Sequence, residues 1–223
     1  MSWFLGAIRI DPRVSTWEST LAVRFKSVQE KYSSEVRWVQ LEAEGLCLLK
    51  ASVGAFNDLG IWREDSAIST LAGELLLPRT LSTPLQSRRT LEAELLVKSL
   101  TENRQKDLLK SSRGTFACAA YDSKIGKLLL ATDKLGVRPV YYLRDRDSVY
   151  FGTSLRDLLS VLPHRPPTTE PAFRVSKSFD LDLRCLSRKR AGSARSLSTM
   201  TCAEKLPRIN QLLLTQARLS RRL

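Results

Sequence analysis

Short apolar runs divided by turn residues are the main pattern along the chain, and residues 128–152 show it most clearly. There, three runs rich in Leu, Val, Tyr and Phe are separated by segments that contain Asp, Gly, Arg and Pro. This composition is typical of buried strands joined by turns. Similar runs predict further strands at residues 3–10, 36–41, 46–51, 67–72 and 114–121. We therefore expect a small antiparallel meander at 128–152, preceded by other buried strands.

Helical periodicity is clearest in residues 89–100, where leucines recur on one face. Thr90 is the predicted N-cap of this helix. Short helices are predicted at 107–110 and, after a capping-box serine at Ser154, up to Leu162. Three stretches do not predict regular elements: 14–34 is expected as loop with some helix, 53–66 contains two glycines and shows little periodicity, and 78–89 is expected as a loop. Blocks of strands separated by helices favour an α+β sandwich over alternating βαβ units.

Composition narrows the class of protein without pointing to a reaction. The chain is 43% hydrophobic and 26% charged, which is typical of a globular protein. No apolar run is long enough for a membrane helix, and the first residues do not resemble a signal peptide. The four cysteines include no CxxC pair and there is one histidine, so we expect no metal site. These features predict a cytoplasmic protein without membrane contact.

The formal net charge of +13 is unevenly distributed. After residue 163 there are thirteen Lys or Arg against four Asp or Glu, so most of the excess belongs to the tail. Nucleic-acid recognition needs a basic face on a recognisable module, and the sequence contains none. We therefore do not expect nucleic acid as a partner, although binding through the basic tail remains an alternative hypothesis.

Residues 113–159 resemble the end of the N-terminal glutaminase domain of the asparagine synthetases, without a gap. The shared features are a G-x-F-A strand, a Tyr-Asp turn, a strand ending in Ala-x-Asp, a Gly, and a Pro-x-Tyr-Tyr strand. The start MSWFLGAIRID and the segment 67–77 also follow the order that the family shows.

This resemblance implies a class II glutamine amidotransferase domain with the four-layer αββα sandwich of the N-terminal nucleophile hydrolases. In the family, removal of the initiator Met exposes a cysteine, whose thiol attacks glutamine while its α-amine acts as base. An Asn-Gly pair supplies oxyanion donors, and an Arg and an Asp hold the substrate. The released ammonia passes to a second domain, which binds ATP through a Ser-Gly-Gly-x-Asp-Ser loop.

Several family positions carry other residues in this chain. Ser2 stands at the nucleophile position and Trp3 follows it where the family has Gly. The oxyanion pair reads Ala72-Gly73, so the side-chain donor is absent. The loop 86–90 lacks the family's Asp-Thr-Glu, and residues 46–63 offer no clear counterpart of the substrate Arg. We carry over Ser2 as the candidate catalytic residue and Gly73 as the candidate substrate-binding residue, and we do not expect glutamine as a ligand.

The predicted organisation is an amidotransferase-like domain at 1–162 and a basic Pro-, Ser- and Arg-rich extension at 163–223. No Ser-Gly-Gly-x-Asp-Ser motif occurs, so ATP and Mg²⁺ are expected only in a synthetase domain that this sequence lacks, and this chain is expected to hold no cofactor. The extension is interpreted as a remnant of that domain, left by truncation or a frameshift, or as its replacement.

Three functions remain open. The leading one is a degenerate glutaminase-type domain that serves as scaffold for, or remnant of, an ATP-dependent amide-forming enzyme. Beta-lactam synthetases and lasso peptide cyclases keep such a domain, and a separate ATP-binding synthetase chain is the expected partner. The alternatives are a working glutamine hydrolase with Ser2 as nucleophile and a nucleic-acid-binding protein.

Overall fold

The computed structural model describes residues 2–10, 17–54, 58–82, 84–144, 148–163, 173–175 and 178–183. The chain divides into two units, Met1–Ala191 and Gly192–Leu223. All described residues belong to the first unit, so the second unit and most of the predicted extension lie outside them, as does the hypothesis of nucleic-acid binding through the tail.

Eleven strands and four α-helices are described in the first unit. The strands are β1 Ser2–Arg9, β2 Arg37–Ala43, β3 Leu46–Ser52, β4 Ile61–Glu64, β5 Ala67–Gly73, β6 Phe116–Asp122, β7 Lys127–Thr132, β8 Tyr141–Arg144, β9 Ser148–Gly152, β10 Phe173–Arg174 and β11 Ser178–Asp182. The helices are α1 Trp17–Gln29, α2 Leu85–Thr101, α3 Gln105–Ser111 and α4 Leu155–Val161, with a 3₁₀ turn at Pro78–Thr80.

The strands form two antiparallel sheets. The first sheet has the order β10-β8-β9-β1-β3-β2, and the second has the order β11-β7-β6-β5-β4. β1 lies at the centre of the first sheet, where it pairs with β3 on one side and β9 on the other. In the second sheet, β5 and β6 pair over their whole lengths.

Three apolar clusters hold the layers together. One lies between the two sheets and contains Phe4 and Ile8 of β1 facing Ile68 and Ala72 of β5. The second joins the outer face of the second sheet to α2, and the third joins the outer face of the first sheet to α1 and α4. The predicted four-layer αββα sandwich is thereby confirmed.

Strand periodicity explains why every residue of β1 between Ser2 and Arg9 is apolar or glycine. In β1, Phe4 and Ile8 point between the sheets, whereas Leu5 and Ala7 point toward α1 and α4. Successive side chains of a strand point to opposite faces, and both faces of this sheet are covered. Continuous apolar runs are therefore required here, which is the pattern that the sequence shows.

The predicted meander at 128–152 is divided between the sheets. β7 belongs to the second sheet, whereas β8 and β9 form a hairpin in the first. Residues 133–140, between β7 and β8, lead from the second sheet to the first and are called the crossing below. Asp133 organises its start, because its carboxylate accepts hydrogen bonds from the backbone N–H groups of Leu135, Val137 and Arg138, each at 3.1 Å.

Other sequence-based boundaries also change. α1 is a regular helix inside the stretch predicted as mostly loop, and β4 lies in another such stretch. α2 begins at Leu85 with Pro84 as N-cap, so the prediction of Thr90 as N-cap was wrong. The sandwich continues past the boundary expected at 162, because β10 pairs with β8 and β11 pairs with β7. The cap at Ser154 is confirmed, since its side chain accepts a hydrogen bond from the backbone N–H of Asp157.

Candidate functional site

Ser2 lies at the first position of β1, at one end of the sandwich, and is 3% exposed. Its Oγ accepts two long hydrogen bonds, from the backbone N–H of Gly73 and from Nη2 of Arg89, both at 3.4 Å. β1 contributes Ser2 from the first sheet and β5 contributes Gly73 from the second, so the two candidate residues carried over from the sequence do come together.

Gly73 ends β5 with φ of +86°, a backbone conformation that disfavours every residue with a side chain. A Cβ atom at this position would overlap the carbonyl oxygen of Thr115 and lie 2.5 Å from Nε of Arg138. Gly73 is therefore required by its own packing, independently of any ligand. Ala72, which precedes it, points its methyl group into the core between the sheets and offers no side-chain donor.

Arg89 projects from the second turn of α2 and is only 4% exposed. Its Nη1 donates to the carbonyl oxygen of Asp58 at 2.7 Å, and its Nη2 donates to the carbonyl oxygen of Leu71 at 3.1 Å. Burial lowers the pKa of Arg89, and the charge of Asp58 opposes that effect. Because an arginine keeps its proton in proteins, this end of the sandwich holds a buried positive charge.

The carboxylate of Asp58 fixes the position of this arginine. One oxygen accepts from the backbone N–H of Gly60 at 2.8 Å and from Oγ1 of Thr90 at 2.7 Å. The other accepts from the backbone N–H of Thr90 at 2.8 Å. Asp58 thus ties the segment before β4 to α2 and holds Arg89 against Ser2.

Lys50 is a second buried basic residue, in the second half of β3. Its Nζ donates to the carbonyl oxygen of Leu71 and lies 5.9 Å from the centroid of the Phe4 ring. Burial holds the pKa of Lys50 well below its usual value, and the charges of Arg89 and Arg138 lower it further. The protein therefore favours the neutral amine at this position.

Arg138 is the third basic residue at this end of the sandwich and lies on the crossing between the two sheets. Its backbone N–H is held by Asp133, its side chain rests on Gly73, and its Nη1 reaches the carbonyl oxygen of Ser2 at 3.5 Å. In the described part of the chain, no carboxylate forms an ion pair with this guanidinium. The carboxylate of Asp133 is occupied by backbone N–H groups, which lower its pKa against the opposite effect of burial.

A cavity of about 610 Å³ opens beside Ser2 and Arg138. Its apolar lining includes Trp3, Tyr32 and Pro139, and its polar lining includes the hydroxyl residues Thr153 and Ser154. None of the described residues that line it is acidic. The cavity therefore combines an apolar wall with one positive charge.

The donors around Ser2 limit its chemistry. Its Oγ receives hydrogen bonds, but no described residue accepts a hydrogen bond from it or offers a histidine or carboxylate base. Sequence reasoning missed Lys50, Arg89 and Arg138 as site residues. Of these three, only Lys50 could have been noticed in the sequence, because it is a charged residue within a mostly apolar strand. Within the described ranges no cluster of His, Cys, Asp or Glu could hold a metal ion, and no helix is long and apolar enough to span a membrane.

The profile of the glutamine amidotransferase domain matches residues 61–160. Residues 61–160 are therefore similar to a glutamine amidotransferase domain. The matched range is slightly less than half of the chain and runs from β4 to α4. It includes Gly73, Arg89 and Arg138 but not Ser2, so this match adds no support for a role of Ser2.

Among curated proteins, the chain is similar to asparagine synthetase [glutamine-hydrolyzing] 3 of Bacillus subtilis (strain 168). The two are 34% identical over 93 residues, which are 40% of this chain and 15% of the synthetase. The matched segment is thus similar to one part of an asparagine synthetase, and the chain spans only a small share of that relative's length.

Solved structures with some likeness include those of two enzymes. Glutamine phosphoribosylpyrophosphate amidotransferase from B. subtilis, in complex with ADP and GMP, shows a TM-score of 0.42 and 12% identity, covering 81% of this chain and 49% of the enzyme. The allosteric regulatory enzyme of purine biosynthesis shows a TM-score of 0.42 and 11% identity, with the same coverage. The fold assignment rests on the sheets and apolar clusters described above.

Proposed function

We propose that this amidotransferase-type domain does not hydrolyse glutamine and serves as a scaffold for ATP-dependent amide formation. In this role it corresponds to the glutaminase-like domains that beta-lactam synthetases and lasso peptide cyclases retain. The observation that carries the proposal is the pair of donors, Arg89 Nη2 and Gly73 N–H, that meet at Ser2 Oγ.

The first argument concerns activation of the nucleophile. A serine hydroxyl is a weak nucleophile until a neighbouring base removes its proton. Both partners of Ser2 Oγ are donors, one of them a guanidinium that keeps its proton. Proton transfer to either partner is excluded, so activation would depend on an α-amine created by removal of Met1.

The second argument concerns the tetrahedral intermediate. The backbone N–H of Gly73 remains aimed at the reacting position, but Ala72 offers no second donor. Loss of one oxyanion donor typically costs a factor of about a hundred to a thousand in rate. A serine nucleophile and a single donor together leave little catalytic power.

The third argument concerns substrate charge. An amino-acid substrate carries an α-ammonium group, which a site normally pairs with a carboxylate. Arg89 and Arg138 place two positive charges at this end of the sandwich, and none of the described residues that line the cavity is acidic. Like charges disfavour each other strongly in a partly desolvated site, so glutamine would bind poorly here.

The scaffold role is supported by the similarity to an asparagine synthetase and by exposed apolar residues beside the cavity. The relative is named as a glutamine-hydrolysing asparagine synthetase, and we propose that a separate ATP-binding synthetase chain supplies the amide-forming half, including ATP and Mg²⁺. Leu135 and Val137 are 87% and 57% exposed on the crossing next to the cavity. Large exposed apolar side chains beside a site suit contact with a partner.

A working hydrolase with Ser2 as nucleophile is the competing function, and the Gly73 N–H directed at Ser2 Oγ favours it. The two functions separate in an assay of glutamate release from glutamine by the wild type, Ser2→Ala and Ser2→Cys, with each N-terminus defined by mass spectrometry. We expect wild type and Ser2→Ala to release no more glutamate than buffer. Release by the wild type that Ser2→Ala abolishes would overturn the proposal. Ser2→Cys reports whether the thiol alone restores activity.

A further inference from the structure

We propose that the cavity beside Ser2 binds a small organic carboxylate with a flat apolar body. Arg138 would pair with the carboxylate, and Trp3 and Tyr32 would contact the body. This inference concerns the cavity alone and does not depend on whether glutamine is hydrolysed.

Among the described residues, no acidic side chain pairs with the positively charged guanidinium of Arg138. Asp133 fixes its backbone, and the absence of a side chain at Gly73 lets its guanidinium reach the cavity wall. Its one hydrogen bond in the described part of the chain is the 3.5 Å contact with the carbonyl of Ser2. A half-buried guanidinium with free donors is a strong partner for a carboxylate, because it can donate two parallel hydrogen bonds.

The aromatic wall determines the shape of the ligand. The ring centroids of Trp3 and Tyr32 are 5.1 Å apart with their planes at 44°, and Trp38 supports both rings, at 5.6 Å and 5.5 Å. The hydroxyl of Tyr32 donates to Asp157 at 2.7 Å, so the ring is held in place and its polar end is directed away from a ligand. These rings give the cavity a rigid apolar surface against which a flat group can pack.

The size and charge of the cavity define the ligand class further. A volume of about 610 Å³ lies within the usual range for small-molecule sites. The lining contains no acidic residue that could pair with an ammonium group. The site should therefore prefer a simple carboxylic acid over the corresponding amino acid, and over its uncharged amide.

Three probes share one body and differ in the group that Arg138 would meet: phenylpropanoate, phenylpropanamide and L-phenylalanine. Binding to the full chain is measured by titration calorimetry. We expect phenylpropanoate to bind at least about tenfold more tightly than the amide, since a charge-assisted hydrogen bond contributes this much or more. L-Phenylalanine should bind more weakly than phenylpropanoate.

Variants locate the site. Arg138→Gln should remove the preference for phenylpropanoate over the amide, whereas Arg63→Gln, at an exposed position on β4, should leave it unchanged. Trp3→Leu should weaken the acid and the amide alike, and thermal melting confirms that each variant is folded. Equal affinities of the wild type for acid and amide, unaltered preference in Arg138→Gln, or no binding of phenylpropanoate would overturn the inference. Glutamate release is a separate readout, so failure here leaves the proposed function testable on its own.

Discussion

Replacing Gly73 by alanine tests whether this residue is required by packing at the site. The substitution adds one methyl group, which would overlap the carbonyl oxygen of Thr115 and lie 2.5 Å from Nε of Arg138. Ordinary contacts between such atoms are about 3.5–4.0 Å. The carbonyl of Thr115 has little freedom to move, because it accepts the backbone N–H of Glu74 at 2.9 Å.

Two costs add at this position. A left-handed backbone conformation costs a residue with a side chain about 1–2 kcal/mol, and overpacking typically costs about 1–3 kcal/mol. We expect Gly73→Ala to lower the free energy of unfolding by about 2–5 kcal/mol, or the melting temperature by roughly 4–20 °C for a domain of this size. Urea denaturation followed by tryptophan fluorescence, with thermal melting as a second probe, measures the loss.

Gly54→Ala is the matched control. Gly54 also has a left-handed conformation, with φ of +78°, but a Cβ atom there would meet nothing within 4 Å. It should therefore show only the conformational cost of about 1–2 kcal/mol. Equal losses in the two variants would refute the packing argument, because the difference between them isolates the overlap with Thr115 and Arg138.

Two further substitutions test the buried charges. Lys50→Met should stabilise the protein by about 1–3 kcal/mol at neutral pH, since the carbonyl of Leu71 keeps its hydrogen bond from Arg89. This gain in stability should shrink as the pH rises toward 10.5, because the wild-type lysine is then neutral in the unfolded chain as well. Burial raises the pKa of Glu92 to about 7 despite a hydrogen bond from Thr80. The free energy of unfolding of the wild type should therefore fall as the pH rises from 4.5 to 7, and Glu92→Gln should flatten this pH dependence in urea denaturation.

The sandwich was predictable because its strands are apolar on both faces. Each sheet is covered on one side by helices and on the other by the second sheet, so β1 and β6 read as nearly continuous apolar runs, and β3 and β5 are interrupted by only a few polar residues. Such runs are visible without knowledge of the partners. The split of 128–152 was not visible, because a turn sequence does not reveal whether the next strand pairs with the last one or enters another sheet.

The start of α2 was misplaced for a local reason. Prolines and polar residues in 78–89 indicated a loop, but proline is well suited to the first positions of a helix, and Pro84 is the N-cap. This shift matters for the site, because it places Arg89 inside the helix with its side chain directed at Ser2.

The cations at the site depend on tertiary structure. Lys50 lies in the second half of an otherwise mostly apolar strand. From the sequence, its charged side chain would be expected to reach solvent. Only the pairing of β3 with both β1 and β2 places it inside the sandwich. Arg138 was interpreted as a turn residue, and its contact with Gly73 joins segments that are distant in sequence.

The most direct test of the central claim is covalent labelling of Ser2. A glutamine analogue with a diazoketone in place of the amide alkylates an amidotransferase nucleophile, and intact-mass spectrometry detects the adduct. We predict that the wild-type mass stays unchanged under conditions that label an active glutaminase completely. An adduct on the wild type that maps to Ser2 and is absent from Ser2→Ala would contradict the account.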